Sequence, residues 1–475
     1  MIRDTTGTGL RDLFVGTEVE VPVLDGGRRR YINFDNAAST PPLKSVRDGI
    51  ASFLDHYASV HRGTGFKSQL STWAYEQARL QVLHFVGADE NVHVCLFGKN
   101  TTDALNKLAH RLPLGLNDVV LTTEMEHHSD DLPFRGVAHV AHAAVLPDGR
   151  LDESDFDRLL ETYRGRVRLV TVAGASNVTG YLNPIHRLAA KAHAAGAWIA
   201  VDAAQLAPHR PIDMRPLDDP EHIDFLAISA HKLYAPFGSG ALIGRRDFFE
   251  RGDPDQRGGG TVEIVTLDEV VWAEPPDREE AGSPNVVGAV ALGLALRQLT
   301  EVGMGTVAAH EAELTAHALR RLRQVPGVRI FGDNRPEAAA DRLGAIPFLL
   351  EGVSHFLVAA ALGYEHGIGV RSGCFCAHPY VLRLLGLSPD EARAVRDRMA
   401  AHDKREMPGM VRISFGLYNT REEVDRFGEA LDQIARGEIR GEYRQIAATG
   451  EYHPIGWQPE FPAVLSATDG PPSPR

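Results

Sequence analysis

The stretch that decides the fold runs from residue 223 to residue 244 and reads IDFLAISAHKLYAPFGSGALIG. Its first part, Ile223 to Ile228, is an apolar run rich in branched residues, which predicts a buried strand. A turn rich in glycine follows, before a second apolar run from Ala241 to Ile243. Lys232 therefore comes just after a buried strand, where loss of surrounding water makes its amine easier to deprotonate. The alternative is a lysine whose stem snorkels out from the strand end.

The hydrophobic share of 43% is that of an ordinary soluble globular protein, and a chain of 475 residues is long enough to bury a large core. This length predicts one large domain and a smaller one. No apolar run approaches the roughly 20 residues that a membrane span needs. The first residues lack the apolar core of a signal peptide, so we expect a cytoplasmic location. The net charge of −13 argues against nucleic acid or an anionic membrane as a partner.

Polar residues follow a series of predicted strands, and helical segments separate these strands. This is the α/β layout, in which ligands bind beyond the carboxyl ends of a mostly parallel sheet. The polar residues that we expect to converge there are Thr101, Thr102, His127, Asn177, Asp202, Gln205, His231 and Lys232.

These residue types match the needs of one cofactor. Thr101 and Thr102 begin a predicted helix, where free amides and hydroxyls form an anion site, although helix capping alone would also explain them. Asp202 ends a buried strand and needs a partner there. A phosphate cradle, a flat ring, a carboxylate and an amine are the groups that hold pyridoxal phosphate. His127 and His128 lack an evident third ligand, and we predict no metal site.

Several motifs carry a resemblance to a known family. The chain resembles the fold-type I, class V aminotransferase-like enzymes, and most closely the branch of cysteine desulfurases and selenocysteine lyases. The most specific stretches are SAHKLY at 229–234 and VDAAQ at 201–205. The other stretches, in family order, are FDNAAS at 34–39, VHRG at 60–63, MEHHS at 125–129, SNVTG at 176–180, GGG at 258–260, EAGSPN at 280–285 and VRSGCFCA at 370–377.

The resemblance implies a fold and a division into parts. It implies a large pyridoxal-phosphate-binding domain, with a mostly parallel seven-stranded sheet flanked by helices, and a smaller α+β C-terminal domain. We place an N-terminal arm at 1–30, the large domain at 31–286 and the small domain at 287–450. A tail at 451–475, rich in proline, is predicted to be irregular. Within the large domain, the apolar spacing of Trp73, Ala78 and Leu83 predicts a helix.

The resemblance also implies roles for the residues that bind the cofactor. Lys232 would bind it covalently, Asp202 would pair with its ring nitrogen, and His127 would stack on the ring. Gln205 or Asn177 would bond the phenolic oxygen. The residues predicted at the phosphate are Thr101, Thr102, Ser229 and His231. Ser283 lies in a loop that crosses to the other subunit in the family, which implies a homodimer with shared sites.

The substrate site is predicted from the C-terminal part. Of the three cysteines, Cys95, Cys374 and Cys376, the last occupies the position of the nucleophile of desulfurases, and the flanking Gly373 and Pro379 favour an accessible loop over a buried inert thiol. Three cysteines are too few for a disulfide framework. The predicted substrate-binding residues are Arg412 and, as a weaker candidate, Arg371, both for a carboxylate, together with Ala37 and Asn177.

The resemblance therefore implies a pyridoxal-phosphate-dependent cysteine desulfurase, which moves sulfur from L-cysteine to Cys376 as a persulfide and releases alanine. It also implies a sulfur-acceptor protein as a partner that takes the sulfur from Cys376. Another class V enzyme stays open: an aminotransferase, an epimerase, another lyase or a protein similar to molybdenum cofactor sulfurases. A non-catalytic sulfur acceptor is the third alternative. Departures from the family include the extra Cys374, Lys99-Asn100 in place of Arg-Gly, and a long charged segment at 379–410. Cys374, Cys376 and His378 can also be read as a metal site that lacks a fourth ligand.

Overall fold

The computed structural model of the chain describes residues 7–462. Its strands are β1 Glu20–Pro22, β2 Arg28–Arg30, β3 Ile32–Asn33, β4 His93–Gly98, β5 Val119–Thr123, β6 His139–Ala143, β7 Val167–Ala173, β8 Trp198–Asp202, β9 Phe225–Ser229, β10 Gly240–Arg245, β11 Val262–Val265, β12 Val270–Trp272, β13 Val328–Ile330, β14 Ala345–Leu350, β15 Ile368–Gly369, β16 Arg371–Gly373, β17 Met410–Ser414, β18 Tyr443–Gln445 and β19 Tyr452–Pro454. Its helices are α1 Gly7–Arg11, α2 Lys44–Leu54, α3 Phe66–Phe85, α4 Thr101–Arg111, α5 Leu132–Arg135, α6 Glu153–Thr162, α7 Ile185–Ala194, α8 Arg246–Phe249, α9 Val286–Val302, α10 Met304–Leu322, α11 His355–His366, α12 His378–Leu385, α13 Pro389–Ala400 and α14 Arg421–Ala435.

A seven-stranded sheet in the order β4-β10-β9-β8-β7-β5-β6 forms the centre of the larger part. Strand β10 runs antiparallel to both of its neighbours, and the other pairings are parallel. Every residue of β5 and β9 is buried, because helices cover both faces of a parallel sheet. The predicted α/β fold with a mostly parallel seven-stranded sheet is confirmed. Since β7, β8 and β9 are neighbours, their carboxyl ends lie side by side.

Helix α3 packs on α9 closely enough to require a glycine. A Cβ on Gly293 of α9 would lie 2.9 Å from the Cα of Ala78 in α3. The predicted helix is present, but Trp73 was wrongly counted on its apolar face, because 63% of this side chain is exposed. The buried face of α3 runs instead through Tyr75, Ala78 and Val82. Helical periodicity shows which residues share a face but does not show which face a neighbour covers.

A second sheet, in the order β13-β14-β17-β16, forms the smaller α+β part with helices α10, α11 and α14. It has its own core, in which Ile32 and Phe34 are included. Strand β3 pairs with β15 of this part, and Asp35 forms a bridge with Ser414 at the end of β17. The chain that follows β3 is therefore held beside β17, which brings Asp35 and Ala37 to the junction of the two sheets.

The ends of the chain carry short elements. Strands β1 and β2 form a hairpin within the predicted arm, and β18 pairs with β19, so residues 452–454 are a strand within the predicted irregular tail. Residues 463–475 lie outside the described part, and the predicted domain boundaries stay a prediction. Within residues 7–462, no single helix combines the length and apolar character for a membrane crossing; α9 and α10 reach them only as a pair bent by 78°.

Candidate active site

A cavity of about 430 Å³ opens beyond the carboxyl ends of β7, β8 and β9 and reaches the second sheet. It brings together all of the predicted site residues except Ser283. The predicted residues in its wall are Ala37, Thr101, Thr102, His127, Asn177, Asp202, Gln205, Ser229, His231, Lys232, Arg371, Cys376 and Arg412. The cavity is also lined by residues that were not predicted as site residues: Ala38, Asn100, Ser129, Ala173, Ala175, Ala204, Ser372 and Phe375.

Lys232 and Asp202 enter the cavity from adjacent strands. Asp202 is the last residue of β8, and Lys232 ends the 3-10 turn that follows β9. Burial lowers the pKa of Lys232 to about 8, against the opposing effect of the Asp202 carboxylate. Burial also raises the pKa of Asp202, although the backbone N–H of Ala204 donates to its Oδ1 at 2.9 Å. The cavity therefore holds an amine that is easily deprotonated together with a buried carboxylate.

The first turn of α4 forms a cradle of donors. The Thr101 N–H donates to Ser229 Oγ at 2.8 Å, and the Thr101 hydroxyl lies 2.8 Å from the same oxygen. The Thr102 hydroxyl lies 2.7 Å from Ser129 Oγ. His231 lines the same end of the cavity, where burial lowers the pKa of its ring to about 4. Hydroxyls, a ring nitrogen and the start of an α-helix fit a phosphate group.

His127 presents a neutral ring to the cavity. Its Nδ1 accepts the N–H of Ser129 at 3.1 Å, so the neutral ring carries its proton on Nε2. Burial lowers the pKa of His127 to about 3, and the positive charge of Lys232 adds to the effect. A flat, uncharged ring in the same cavity as Asp202 and Lys232 fits a stacked pyridine. The donor set around the cavity thus fits pyridoxal phosphate at its phosphate, ring face, ring nitrogen and aldehyde carbon.

The two amide side chains that were predicted at the phenolic oxygen already bond the protein. Gln205 Nε2 donates to the carbonyl of Ala37 at 2.6 Å. Asn177 Nδ2 donates to the carbonyl of Phe375 at 2.7 Å. Each amide group keeps a second N–H hydrogen that can bond a ligand, so their predicted roles at the phenolic oxygen stay a prediction.

Cys376 lies in a strained turn between β16 and α12. Phe375 and Cys376 have φ angles of 53° and 55°, in the left-handed region that costs about 1–2 kcal/mol for a residue with a side chain. Hydrogen bonds to both carbonyls hold this turn: Asn177 donates to Phe375, and the His128 N–H donates to Cys376 at 2.8 Å. Cys376 is exposed. The predicted accessible loop is therefore present at the cavity.

The other two thiols are buried. Cys374 donates from Sγ to the Pro408 carbonyl at 3.0 Å, and burial raises the pKa of this thiol to about 12. Burial also raises the pKa of Cys95. Cys376 is the one cysteine of the three that lines the cavity and reaches solvent.

Arg412 is the buried cation of the cavity. It donates from Nη1 to the Asn177 carbonyl at 2.8 Å and from Nη2 to Asp35 Oδ1 at 3.1 Å. Its Nε is buried and has no hydrogen-bond partner among the described residues, and burial lowers the pKa of Arg412 to about 10. Arg371 Nη2 lies 2.8 Å from the other oxygen of Asp35. Two guanidinium groups thus share one carboxylate, which leaves positive charge to bind another.

Two acidic residues behind the cavity were not predicted as part of the site. Glu126 accepts the Thr123 hydroxyl at 2.6 Å and the Ala173 N–H at 2.7 Å, and burial raises the pKa of Glu126 to about 8. Asp130 accepts the Thr171 hydroxyl through Oδ1, and burial followed by the charges of Glu126 and Asp202 raises its pKa. The MEHHS motif contains Glu126, but nothing in the sequence indicated that Asp130 is fully buried.

Ser283 lies outside the cavity of its own chain, on an exposed loop before α9. The predicted role involves the cofactor of another subunit, and a single chain does not test it. Among the described residues, one group can bring three metal-ligating atoms within 4.8 Å of one another, namely His193, His222 and Asp224. It lies at the amino ends of β8 and β9, away from the cavity, and its two rings stack with centroids 4.1 Å apart.

Comparison with known proteins now identifies the family. The family model described as Aminotransferase class-V matches residues 32–427, which include every residue of the cavity. The chain belongs to the class-V aminotransferase family.

Class-V proteins similar to this chain include several named cysteine desulfurases. The cysteine desulfurase of Pectobacterium atrosepticum is 36% identical over 412 residues, or 85% of this chain and 92% of that protein. The cysteine desulfurase of Haloferax volcanii is 33% identical over 428 residues, or 88% of this chain and 93% of that protein.

Two solved structures of cysteine desulfurases are also similar to this chain. The apo structure of cysteine desulfurase from Thermococcus onnurineus NA1 has a TM-score of 0.75 at 32% identity and covers 86% of this chain and 95% of that chain. The crystal structure of the cysteine desulfurase CsdA (S-sulfonic acid) from Escherichia coli has a TM-score of 0.74 at 28% identity and covers 92% of this chain and 99% of that chain. The similarity thus extends over nearly the whole of each solved chain.

Proposed function

We propose that this class-V protein is a cysteine desulfurase, which moves sulfur from L-cysteine to Cys376 and releases alanine. The observation that carries the proposal is the position of Cys376, an exposed thiol in the wall of the same cavity as Lys232, Asp202 and Arg412. The names and the full-length similarity of the relatives support it.

Enzymes of this family depend on pyridoxal phosphate, and the residues of the cavity fit that group. Lys232 would bind it covalently, Asp202 would face its ring nitrogen, and His127 would lie on its ring. The residues proposed at the phosphate are Thr101, Thr102, Ser229 and His231. When bound, the cofactor withdraws electrons from the substrate Cα and makes its hydrogen acidic.

The residues of the chain orient the substrate and move its proton. Arg412 binds the substrate carboxylate through guanidinium N–H groups that the Asn177 carbonyl and Asp35 do not use, with Arg371 adding positive charge. The small side chain of Ala37 and the backbone of Asn177 leave room beside that carboxylate. Lys232, whose pKa is lowered to about 8, is suited to take the proton from Cα as a general base.

The sulfur transfer balances without an added oxidant. The Cys376 sulfur attacks the sulfur of L-cysteine, an S–S bond forms, and the Cβ–S bond breaks. The electron pair of the broken bond stays on Cβ, which takes up a proton to become the methyl group of alanine. One thiol and one L-cysteine thus give one persulfide and one alanine, and a sulfur-acceptor protein or an added thiol removes the sulfur afterwards.

Three further parts of the proposal concern the environment of the enzyme. A homodimer would cover apolar side chains that the single chain leaves exposed on α3 and on the β11–β12 hairpin, among them Phe66, Trp73, Val265 and Leu267. The dimer would also bring Ser283 towards the other subunit's cavity, and light scattering of the purified protein tests whether the dimer forms.

A cytoplasmic location would keep Cys376 reduced, and cell fractionation tests this location.

The test is the release of alanine from L-cysteine. The purified protein, saturated with pyridoxal phosphate, is incubated with L-cysteine and dithiothreitol, and alanine and sulfide are quantified. We expect equal amounts of the two products and none from a Lys232→Ala variant. An aminotransferase would instead form a keto acid from its amino donor. The absence of alanine above the level of the Lys232→Ala control would overturn the proposal.

A further inference from the structure

Two histidines outside the cavity wall, His128 and His378, form a pair. Their rings are nearly parallel, with an interplanar angle of 5° and centroids 4.9 Å apart. His378 Nδ1 lies 3.1 Å from His128 Nε2, and the His378 backbone N–H points to the same Nε2 at 3.3 Å. His128 Nε2 therefore faces two donors.

This geometry determines which nitrogens carry protons. A backbone N–H can only donate, so His128 Nε2 accepts through its lone pair, and the proton of the neutral His128 ring lies on Nδ1. His378 Nδ1 then carries a proton in order to donate to the same acceptor. Both rings are half-buried, and burial lowers the pKa of each, which favours these neutral forms.

The pair holds the C-terminal side of the turn that carries Cys376. His378 is the first residue of α12, and the preceding Ala377 offers no side-chain cap, so the His128 ring caps this helix instead. His128 also donates its own backbone N–H to the Cys376 carbonyl at 2.8 Å. One residue thus bonds the chain at the Cys376 carbonyl and again at the His378 N–H, just after two successive left-handed residues that would otherwise relax.

The segment that contains His128 also lines the cavity. His127 precedes His128 and lines the cavity, and Ser129 follows it and bonds Thr102 at the start of α4. Contacts with this segment therefore fix the position of Cys376 relative to the residues around the proposed cofactor, and not only relative to its own loop.

We propose that His128 and His378 are positioning residues that hold the Cys376 turn against the cofactor-binding segment. Neither lines the cavity, so neither is a catalytic residue. This inference rests on the proposed function in that the positioned thiol is the sulfur acceptor. The chemistry that matters is one acceptor at the Nε2 position of residue 128 and one donor at the Nδ1 position of residue 378.

Matched variants separate this chemistry from mere filling of space. His128→Gln keeps an acceptor oxygen near the Nε2 position, whereas His128→Met has a similar length and lacks a strong acceptor. His378→Asn keeps an N–H donor near the Nδ1 position, and His378→Leu has the same shape without it. The His378 variants retain the backbone N–H and therefore test the ring contact alone.

The first readout is hydrogen–deuterium exchange of the peptide 375–380 in the protein saturated with pyridoxal phosphate. We expect faster exchange in His128→Met and His378→Leu, and exchange near that of the wild type in His128→Gln and His378→Asn. The second readout is steady-state alanine release from L-cysteine. Because a misplaced reacting group costs between about tenfold and about a hundredfold, we expect kcat to fall by that factor in His128→Met with KM unchanged, and to recover in His128→Gln.

Unchanged exchange and kcat in both His128→Met and His378→Leu would overturn the inference. The inference would also be overturned if His128→Gln were as impaired in exchange and kcat as His128→Met, and His378→Asn as impaired as His378→Leu. The shape of the side chains, and not their hydrogen bonds, would then determine the position of the turn. If the wild type itself released no alanine, the proposed function would fail, and the exchange comparison would still decide the role of the pair.

Discussion

Arg412 donates from Nη2 to Oδ1 of Asp35 across 3.1 Å, although 377 residues separate the two in the chain. The arginine assigned to the substrate carboxylate thus already has a carboxylate partner within the protein. Asp35 and the Asn177 carbonyl fix the guanidinium but use only part of its N–H groups, which leaves the others for a second carboxylate. The fork of Arg412 is therefore held in place before substrate arrives, which favours binding.

Replacing Arg412 with lysine should weaken substrate binding. Lysine keeps the charge, but its single nitrogen cannot take the places of the separate guanidinium nitrogens that reach Asp35, the Asn177 carbonyl and a ligand. The lost charged hydrogen bond is worth about 1.5–3 kcal/mol, so we expect KM for L-cysteine to rise between about tenfold and about a hundredfold. Arg371→Lys is the control, and its effect should be smaller because 49% of the Arg371 side chain is exposed. Equal changes in KM for the two variants would contradict the assignment.

Lys232 should react with pyridoxal phosphate at a lower pH than an ordinary lysine. The neutral amine is the reactive form, and burial lowers its pKa to about 8, so the reactive fraction rises with pH and levels off above 8. The cofactor-free protein is mixed with pyridoxal phosphate between pH 6 and pH 10, and binding is followed by absorbance.

The matched variant for this experiment is Asp202→Asn. Since the Asp202 carboxylate raises the pKa of Lys232, its loss should move the midpoint to lower pH. A rate that keeps rising up to pH 10 in the wild type would show an unshifted amine and contradict the prediction.

Asp130→Asn should stabilise the protein at neutral pH. A carboxyl whose pKa is raised in the folded state contributes its stability fully below its unfolded pKa and loses it as pH rises through the folded value. Asparagine keeps an oxygen for the Thr171 hydroxyl and never ionises. We expect about 1–3 kcal/mol of added unfolding free energy at pH 7, measured by urea unfolding, and a gain that shrinks as pH falls towards 4. A loss of stability at pH 7 would mean that the carboxylate itself is required.

Cys374 should be dispensable for sulfur transfer. Its thiol is buried and hydrogen-bonded to Pro408, and a pKa raised to about 12 leaves almost no thiolate at neutral pH. We therefore expect one fast-reacting thiol per native chain in a titration with a thiol reagent. That thiol should persist in Cys374→Ser and disappear in Cys376→Ser. Loss of the fast thiol in Cys374→Ser would instead make Cys374 the reactive group.

The sequence was sufficient to predict the convergence of Lys232 and Asp202, because Asp202 ends one buried strand, Lys232 follows another, and strand ends gather at one edge of a parallel sheet. It could not predict contacts made across the two sheets. The partners Asp35 and Arg412 are 377 residues apart, and His128 and His378 are 250 residues apart. No local sequence pattern indicates that residues so far apart in the chain are in contact.

The sequence also did not predict the burial of every side chain correctly. Asp130 stands among polar residues in the sequence, yet it has no exposed surface. Trp73 is apolar and periodic, yet it is exposed. In both cases the neighbouring elements of the fold, and not the residue itself, determine the environment.

The most direct test of the account is the fate of sulfur in a single turnover. The protein saturated with pyridoxal phosphate is mixed with L-cysteine without a reductant, alanine is quantified, and the Cys376 peptide is weighed by mass spectrometry. We predict one alanine per chain and one additional sulfur atom on Cys376. Alanine released in that amount while the Cys376 peptide keeps its original mass would contradict the central claim.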